Sequence, residues 1–293
     1  MQNPAGDARH TEQIEAHGLK ALRLRACGSE ALVYLHGAHV ASFQTAEHGE
    51  LLWLSDQAVY AAGKAIRGGV PICFPWFGAH PARADLPAHG FARTHAFRFE
   101  GSELRGDNVV AELSLASSVE TSTLFPHAFS ARLRLSVGRE LSLSFEVENT
   151  GDSGFDYELA LHTYLGVSDV RNVEILGLAG DSYDDKVSGA RAVVEGAGPQ
   201  RVSAETDRVY TSTGRVTVLD LQRKRRLIVD KTSSSTTVVW NPWIDKAKRM
   251  ADFGDDEWPS MLCVEAANVS PRAIHLPAQA RHTTTTIVSA ETP

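Results

Sequence analysis

The sequence predicts an all-β protein, a sandwich or barrel of antiparallel sheet with few short helices. Apolar residues recur at every second position in many short segments, which is the period of a strand with one buried face. Glycine, asparagine, aspartate and serine separate these segments, and no long stretch keeps the 3.6-residue period of a helix. Many short strands divided by turns are typical of an antiparallel all-β fold.

The clearest hairpin lies in the middle of the chain. Apolar and polar residues alternate in Ala131–Val137 and in Leu141–Glu148, and only Gly138-Arg139-Glu140 separates the two segments. A short link between two alternating segments predicts two half-buried antiparallel strands joined by a tight turn.

Further strands are predicted wherever the same alternation returns. These segments are Leu19–Arg25, Ala31–Leu35, Val109–Leu115, Phe155–Tyr164, Val216–Leu221, Arg226–Asp230, Thr236–Trp240, Leu262–Ala266 and Thr283–Val288. Asp245–Met250 is expected to form one or two helical turns, and Gly189–Pro199 is expected to be a surface loop.

Length and charge limit the organisation of the chain and its partners. The 293 residues show no internal repeat and no linker, so we expect one domain over residues 1–293, with a flexible N-terminus over residues 1–15. A net charge of −7 argues against a nucleic-acid surface, and no run of about 18 apolar residues predicts a membrane helix. The N-terminus lacks the apolar run of a signal peptide, and the three cysteines give no disulfide or zinc pattern. We expect a cytoplasmic protein that acts as a monomer.

Two glycine-containing loops carry arginine. Arg67 precedes a pair of glycines in Lys64–His80, and the segment Leu86–Thr94 contains His89 and Arg93. Binding residues often lie on loops, although a lone arginine or histidine there is equally consistent with a solvated side chain.

A histidine follows the core face of one predicted strand. Because alternate residues of Phe155–Tyr164 are apolar, His162 lies on the other face with Glu158 and Ala160. Taken alone, this position is more typical of a histidine on a solvated face.

A carboxylate lies inside the apolar run Met261–Ala267. Glu265 would be costly to bury there unless it were paired or used. Its same-face neighbours Cys263 and Ala267 are small, which leaves space for a ligand.

Three polar clusters are weaker candidates. His36 and His39 have no third ligand at metal spacing. The acidic run Asp252–Glu257 does not match a calcium loop and is expected to be solvated. The basic run at residues 223–226 is expected to be the solvated tip of a hairpin.

These loops and strands together resemble the ordered motifs of the glucose-6-phosphate 1-epimerases, also called hexose-6-phosphate mutarotases. The motifs occur in the family's order from about Lys64 to Asn268. They are Ile66–Gly78 (IRGGVPICFPWFG), Leu86–Thr94 (LPAHGFART), Phe125–Phe129 (FPHAF), Ala160–Leu165 (ALHTYL), Glu205–Tyr210 (ETDRVY), Val238–Trp243 (VVWNPW), Asp252–Trp258 (DFGDDEW) and Cys263–Asn268 (CVEAAN). The resemblance implies the galactose-mutarotase-like fold, a large antiparallel β-supersandwich.

The resemblance also implies roles for individual residues. His162 of the LHTYL motif would be the general acid, and Glu265 of the VEAAN motif would be the general base. Some members carry glutamine where this chain has Ala88, so one substrate contact is absent or replaced. The substrate-binding residues implied are Arg67, His89, Arg93 and Asp207.

These residue types suit the interconversion of the α and β anomers of a hexose 6-phosphate. A base takes the proton of the anomeric hydroxyl, an acid protonates the ring oxygen as the C1–O bond breaks, and the reverse steps close the ring on the other face. The implied roles require an ionised Glu265 and a protonated His162, and a nearby carboxylate such as Glu158 would favour the imidazolium. No electrons move, so neither a metal nor an organic cofactor is expected.

The phosphate is expected to bind to arginine. Guanidinium groups hold phosphate through two parallel charge-assisted bonds, which suits Arg67 and Arg93, with Lys246 and Arg249 as weaker candidates. Two other functions stay open. One is an aldose 1-epimerase that acts on unphosphorylated sugar, and the other is a non-catalytic phosphosugar-binding protein.

Overall fold

The computed structural model describes residues 10–80 and 82–293, and it confirms the antiparallel all-β class. In chain order the strands are β1 (Thr11–Ala16), β2 (Leu19–Ala26), β3 (Ser29–Tyr34), β4 (His39–Thr45), β5 (Gly49–Glu50), β6 (Ile72–Cys73), β7 (Arg98–Arg105), β8 (Asn108–Ala116), β9 (Phe129–Val137), β10 (Leu141–Asn149), β11 (Phe155–Tyr157), β12 (Leu159–Leu161), β13 (Tyr164–Gly166), β14 (Glu174–Leu176), β15 (Ser182–Asp185), β16 (Val193–Val194), β17 (Thr206–Tyr210), β18 (Val216–Asp220), β19 (Arg225–Thr232), β20 (Thr236–Asn241), β21 (Met261–Asn268), β22 (Ile274–Leu276) and β23 (Arg281–Glu291).

Helical structure is sparse in this part of the chain. The α-helices are α1 (Val119–Leu124) and α2 (Trp243–Ala247), and single 3-10 turns cover Ala92–Thr94 and Trp258–Ser260. Helix α2 falls where the sequence predicted one or two helical turns. None of the helices among the described residues is both long enough and apolar enough to cross a membrane.

Two eight-stranded sheets dominate the described chain. One has the order β14-β18-β19-β23-β10-β9-β8-β7, and the other has the order β16-β15-β17-β20-β21-β12-β6, with β13 also paired to β21. A five-stranded sheet, β1 to β5, and the pair β11-β22 complete the architecture. Residues 1–9 of the N-terminus that we expected to be flexible lie outside the described residues, whereas Thr11–Ala16 pairs with β2.

The predicted hairpin is confirmed as β9 and β10, and its burial explains the alternation of apolar and polar residues in the sequence. The two strands pair in register from Val137 and Leu141 onwards, and their apolar residues are buried while the polar ones between them are not. Apart from Phe155–Tyr164, the other predicted strands also form, with ends that differ by at most three residues.

The apolar faces of the large sheets meet in one core. Phe74, next to β6 of one sheet, lies 5.3 Å between ring centroids from Phe129 of β9 and 5.8 Å from Phe145 of β10 in the other sheet. Edge-on aromatic contacts of this kind add to the gain from burial. The core therefore supports β6 and the loop that leads into it.

The predicted strand Phe155–Tyr164 is the main difference from expectation. It is broken into β11, β12 and β13, which pair with different partners. The ladder stops because the amides of Glu158 and His162 donate to the carbonyls of Pro75 and Pro71 in the Arg67 loop instead. Asp156 is exposed, but from Leu159 to Tyr164 both faces are buried, so the solvated face that the pattern alone suggested for His162 was wrong.

The basic run also differs from the expectation of a fully solvated hairpin tip. Arg225, at the start of β19, is only 2% exposed. Its guanidinium donates to the carbonyls of His48, Glu50 and Gly166. A guanidinium has five donors in a rigid fork, so one buried arginine can bond to three carbonyls at once.

Candidate active site

The six residues singled out by the sequence all line one pocket of about 580 Å³. Such a volume falls in the range typical of small-molecule sites. The other lining residues are Phe77, Gly78, Ala79, Ala88, Lys186, Val238, Trp240, Lys246 and Met250. The pocket therefore combines an acid–base pair, an acidic residue and four cationic side chains, Arg67, Arg93, Lys186 and Lys246.

Strand register explains how residues distant in sequence come to lie on the same face of one sheet. Tyr164 of β13 is paired with Cys263 of β21, Cys263 with Trp240 of β20, and Trp240 with Asp207 of β17. Paired residues share a face, so these four form one row across the sheet. Glu265, two residues beyond Cys263, lies on the same face in the next row.

His162 completes that next row from the break between β12 and β13. It lies two residues before Tyr164, and its amide donates to the carbonyl of Pro71 at 3.0 Å. The Nε2 atom of His162 lies 3.3 Å from Oε1 of Glu265. His162 is 6% exposed and Glu265 is 0% exposed, so both partners of this contact are buried.

This pair has unsatisfied hydrogen-bonding capacity. Among the described residues, neither carboxyl oxygen of Glu265 has a hydrogen-bond partner, and the Nδ1 atom of His162 has none either. Buried polar atoms normally have partners, and an exception calls for an explanation. The atoms face a pocket in which hydroxyl groups of a ligand would supply those partners.

Burial moves both pKa values of the pair toward the neutral forms. Desolvation raises the pKa of Glu265 well above its usual value, and the charge of Asp207 raises it further. Desolvation lowers the pKa of His162 well below its usual value, and His89 and Arg93 add to this effect. Both shifts run against the ionised Glu265 and the protonated His162 that the implied roles require, and those roles stay a prediction.

The carboxylate that we expected to favour the imidazolium also has another role. Glu158 accepts hydrogen bonds from the amides of Phe77 and Ser270, at 2.8 and 2.6 Å. It therefore ties a pocket loop to the turn after β21, and it is not among the groups that shift the pKa of His162.

Arg67 is held from two sides. Its Nε and Nη2 atoms donate to both carboxylate oxygens of Asp252 at 3.1 to 3.2 Å, and Nη1 donates to the hydroxyl of Tyr164 at 3.0 Å. The bidentate pair is the stronger form of an arginine–carboxylate contact. The expectation of a solvated acidic run was wrong at Asp252, and also at Glu257, which accepts from Ser55, Asp56 and Gly254.

The loop with His89 and Arg93 forms the opposite wall. The amide of His89 donates to the carbonyl of Gly78 at 2.7 Å, and its ring lies 5.9 Å from that of His162. Burial lowers the pKa of His89 to about 3, so its ring is neutral at physiological pH. Arg93 donates through Nη2 to the carbonyl of Ala88 at 2.8 Å.

The outer wall carries Asp207 and two lysines. Burial raises the pKa of Asp207, while Lys246 and Lys186 oppose that shift. Lys246 lies 3.0 Å from a carboxylate oxygen of Glu205 and 3.8 Å from one of Asp207. Lys186 forms no ion pair within 4 Å with any residue that the structure describes.

Sequence reasoning missed several residues of this site. Lys186 lies in the irregular segment between β15 and β16, Asp252 was assigned to solvent, and Tyr164 was counted only as part of a motif. Local patterns carry no signal for Lys186 or Asp252, because their position depends on tertiary packing. For Tyr164, a tyrosine two residues from a candidate histidine on one strand was an available signal.

Comparisons with known proteins agree with the geometry. The sequence profile of the family described as aldose 1-epimerase matches residues 20–289. A protein from Cenchrus ciliaris named "Putative glucose-6-phosphate 1-epimerase" is 37% identical over 265 residues, which cover 86% of this chain and 79% of the relative. A protein of the same name from Escherichia coli (strain K12) is 37% identical over 237 residues, which cover 80% and 79%.

A solved structure is similar over nearly the whole chain. The crystal structure of a "putative mutarotase" from Salmonella typhimurium superposes with a TM-score of 0.90 at 29% sequence identity. The superposition covers 97% of this chain and 95% of the other.

Proposed function

The chain belongs to the aldose 1-epimerase family, and from this premise we propose that it interconverts the α and β anomers of a hexose 6-phosphate, with glucose 6-phosphate as the first substrate to test. The proposal assigns general acid–base catalysis to His162 and Glu265. It assigns substrate binding to Arg67, His89, Arg93 and Asp207 on the pocket walls.

One observation carries the proposal. The carboxyl group of Glu265 is completely buried, has no hydrogen-bond partner among the described residues, and lies 3.3 Å from His162 at a pocket. A structural glutamate at such a position would be costly, because a buried polar group that lacks a partner destabilises the fold. An acid–base pair that acts on sugar hydroxyls accounts for that cost.

Ring opening moves one proton through the pair. The base takes the proton from the anomeric hydroxyl, the C1–O5 bond breaks, and the acid gives its proton to O5, which leaves an open-chain aldehyde. After rotation about C1–C2, the same transfers in reverse close the ring on the other face of C1. Acid and base exchange their protonation states in each half of the cycle, so the pair needs one proton in total.

Burial favours a pair that holds that single proton. The raised pKa of Glu265 and the lowered pKa of His162 favour the proton on the carboxyl group and a neutral imidazole. This is the state that the pair reaches when the sugar is open. Ring opening requires this proton on His162 instead, whose Nε2 lies 3.3 Å from Oε1 of Glu265.

The cations on the walls support a phosphorylated substrate. Arg67 is already neutralised by Asp252, so its guanidinium suits sugar hydroxyls better than a second anion. Arg93 and Lys186 have no carboxylate within ion-pair distance among the described residues, and they provide net positive charge for a near-dianionic phosphate. The role of Arg67 in this proposal therefore shifts from phosphate to sugar.

Exchange NMR of the α and β anomers tests the function directly. We expect the purified protein to accelerate exchange of glucose 6-phosphate anomers well beyond the rate in the same buffer. Glucose and galactose are measured in parallel to separate a phosphosugar enzyme from an aldose 1-epimerase that acts on unphosphorylated sugar. Exchange at the buffer rate for all these sugars, with binding retained, would instead identify a phosphosugar-binding protein.

Variants of the unpaired cations sharpen the distinction. Arg93→Met and Lys186→Met are expected to lower turnover of glucose 6-phosphate by at least about tenfold while a neutral sugar loses little, since a hydrogen bond to a charged group is lost. Arg191→Met is the matched control, because Arg191 is exposed, pairs with Asp184 and lies outside the pocket. Equal losses on both kinds of sugar would contradict the assignment to phosphate.

A further inference from the structure

Tyr164 is a buried side chain that contacts two parts of the site. It is 1% exposed and begins β13, two residues after His162. Its ring stacks on the imidazole of His162, with 4.7 Å between centroids and 13° between planes. Its hydroxyl accepts a hydrogen bond at 3.0 Å from Arg67, which lies 97 residues away in sequence.

The orientation of the imidazole is otherwise weakly determined. A catalytic histidine is usually fixed by a hydrogen bond from its second ring nitrogen to a carboxylate or a carbonyl. The Nδ1 atom of His162 has no such partner among the described residues. The ring plane is therefore set by aromatic contacts, and among them the contact with Tyr164 is the closest and the most parallel.

Tyr164 itself is held firmly. Its ring stacks on Trp53 at 5.7 Å and meets Trp240 edge-on at 6.0 Å. Its amide donates to the carbonyl of Gly69 at 2.9 Å, and its carbonyl accepts from the amide of Trp53 at 2.9 Å. The backbone of Tyr164 is thus bonded to the turn that carries Arg67.

We propose that Tyr164 is a positioning residue that fixes the ring plane of His162 through stacking and the guanidinium of Arg67 through its hydroxyl. The proposal rests on the function proposed above, because Tyr164 acts through residues to which that function assigns the chemistry. The phenol contributes two separable effects, one on the acid–base group and one on substrate binding.

Two substitutions separate the effects. Tyr164→Phe keeps the stack and removes the hydroxyl, so KM for glucose 6-phosphate is expected to rise about tenfold while kcat stays within about twofold. Tyr164→Leu also removes the stack, so kcat is expected to fall by a further factor of about ten. If Tyr164 had only a structural role, the two substitutions would not affect KM and kcat separately.

Tyr210→Phe is the matched control. Tyr210 is also 1% exposed, its hydroxyl donates to Glu195 at 2.6 Å, and it lies outside the pocket lining. We expect it to lower stability with unchanged kcat and KM. A rise in KM in Tyr210→Phe that equals the rise in Tyr164→Phe would overturn the proposal.

The remaining outcomes are also decisive. Circular dichroism first establishes that each variant is folded. If Tyr164→Phe does not fold, Asp252→Asn, which removes the other anchor of Arg67, is expected to raise KM in the same direction. Wild-type kinetics in whichever of these two variants folds overturns the positioning role and leaves the proposed function intact. A wild-type protein that fails to accelerate exchange contradicts the proposed function and, with it, this proposal.

Discussion

The Nε2 atom of His162 and the Oε1 atom of Glu265 lie 3.3 Å apart, on chain segments separated by about a hundred residues. At this distance, and with both side chains buried, the two groups titrate as one unit that holds zero, one or two protons. Only the one-proton state can both give and accept a proton during anomer exchange. The predictions on rate and stability follow from this coupling.

Removal of either member should abolish catalysis while the ligand still binds. Glu265→Gln and His162→Asn are each expected to lower the protein-catalysed exchange rate by about 10²- to 10⁴-fold, because each deletes one proton-transfer group. Exchange NMR measures the rate, and calorimetric titration with glucose 6-phosphate measures binding.

Glu50, which lies outside the pocket, provides the control for the change from glutamate to glutamine. Glu50 has a pKa that burial raises, and it accepts hydrogen bonds from the amides of Phe43 and Leu52. Glu50→Gln is expected to leave the exchange rate unchanged. If Glu265→Gln or His162→Asn binds the sugar and still exchanges anomers at the wild-type rate, the assignment of that residue is wrong.

The pH dependence of kcat should show a plateau through neutrality. The pair takes up a second proton only below the ordinary histidine pKa of 6.5, because the pKa of His162 is lowered. It loses its last proton only well above the ordinary glutamate pKa of 4.5, because the pKa of Glu265 is raised. The rate is therefore expected to fall on both sides of the plateau.

Saturating substrate is required for this measurement, since a phosphate monoester itself ionises at a pKa of about 6. The buffer-catalysed exchange is subtracted at every pH. A kcat that rises with pH as one group titrates near pH 6.5, and that shows no loss above the plateau, would indicate that an unperturbed histidine acts alone.

The free energy of unfolding should depend on pH because Glu265 is buried. The folded protein keeps a proton on Glu265 that the unfolded chain releases above about pH 4.5. Stability is therefore lost as pH rises above that value, with a slope of at most about 1.4 kcal/mol per pH unit from this group. Glu265→Gln lacks the titration, so its Tm relative to wild type is expected to rise between pH 5 and pH 7. A constant difference in Tm over this range would show that Glu265 is ionised in the folded protein.

The period of two predicted the strands that have one buried face, such as β9 and β10. It did not predict β7 (Arg98–Arg105), where no residue is fully buried and an apolar alternation is therefore missing. It treated the segment from Phe155 as one strand, because the backbone amides that leave the ladder bond to Pro71 and Pro75 far away in sequence. The alternation of apolar and polar residues therefore predicts a strand that buries one face. It fails where contacts with distant parts of the chain determine where a strand ends.

The candidate site follows the same division. Motif resemblance named six residues that all line the pocket. It did not predict the raised pKa of Glu265, since a pKa depends on desolvation and on the charges of groups from other strands. It also did not predict the pairing of Arg67 with Asp252, which joins residues 185 positions apart.

Gly90 should be intolerant of a side chain, because it fixes the loop with His89 and Arg93 against β6. Its φ is +72°, and a Cβ would lie 2.0 Å from the carbonyl oxygen of Phe74, which accepts the amide of Phe91. Gly90→Ala is expected to lower the free energy of unfolding by at least about 3 kcal/mol and to raise KM for the phosphosugar.

Gly18 is the matched control, since its φ is +76° and its Cβ would meet nothing within 4 Å. Gly18→Ala is expected to cost only about 1 kcal/mol in urea unfolding and to leave KM unchanged. Equal costs in the two variants would mean that backbone conformation, and not the contact with Phe74, is what requires glycine at position 90.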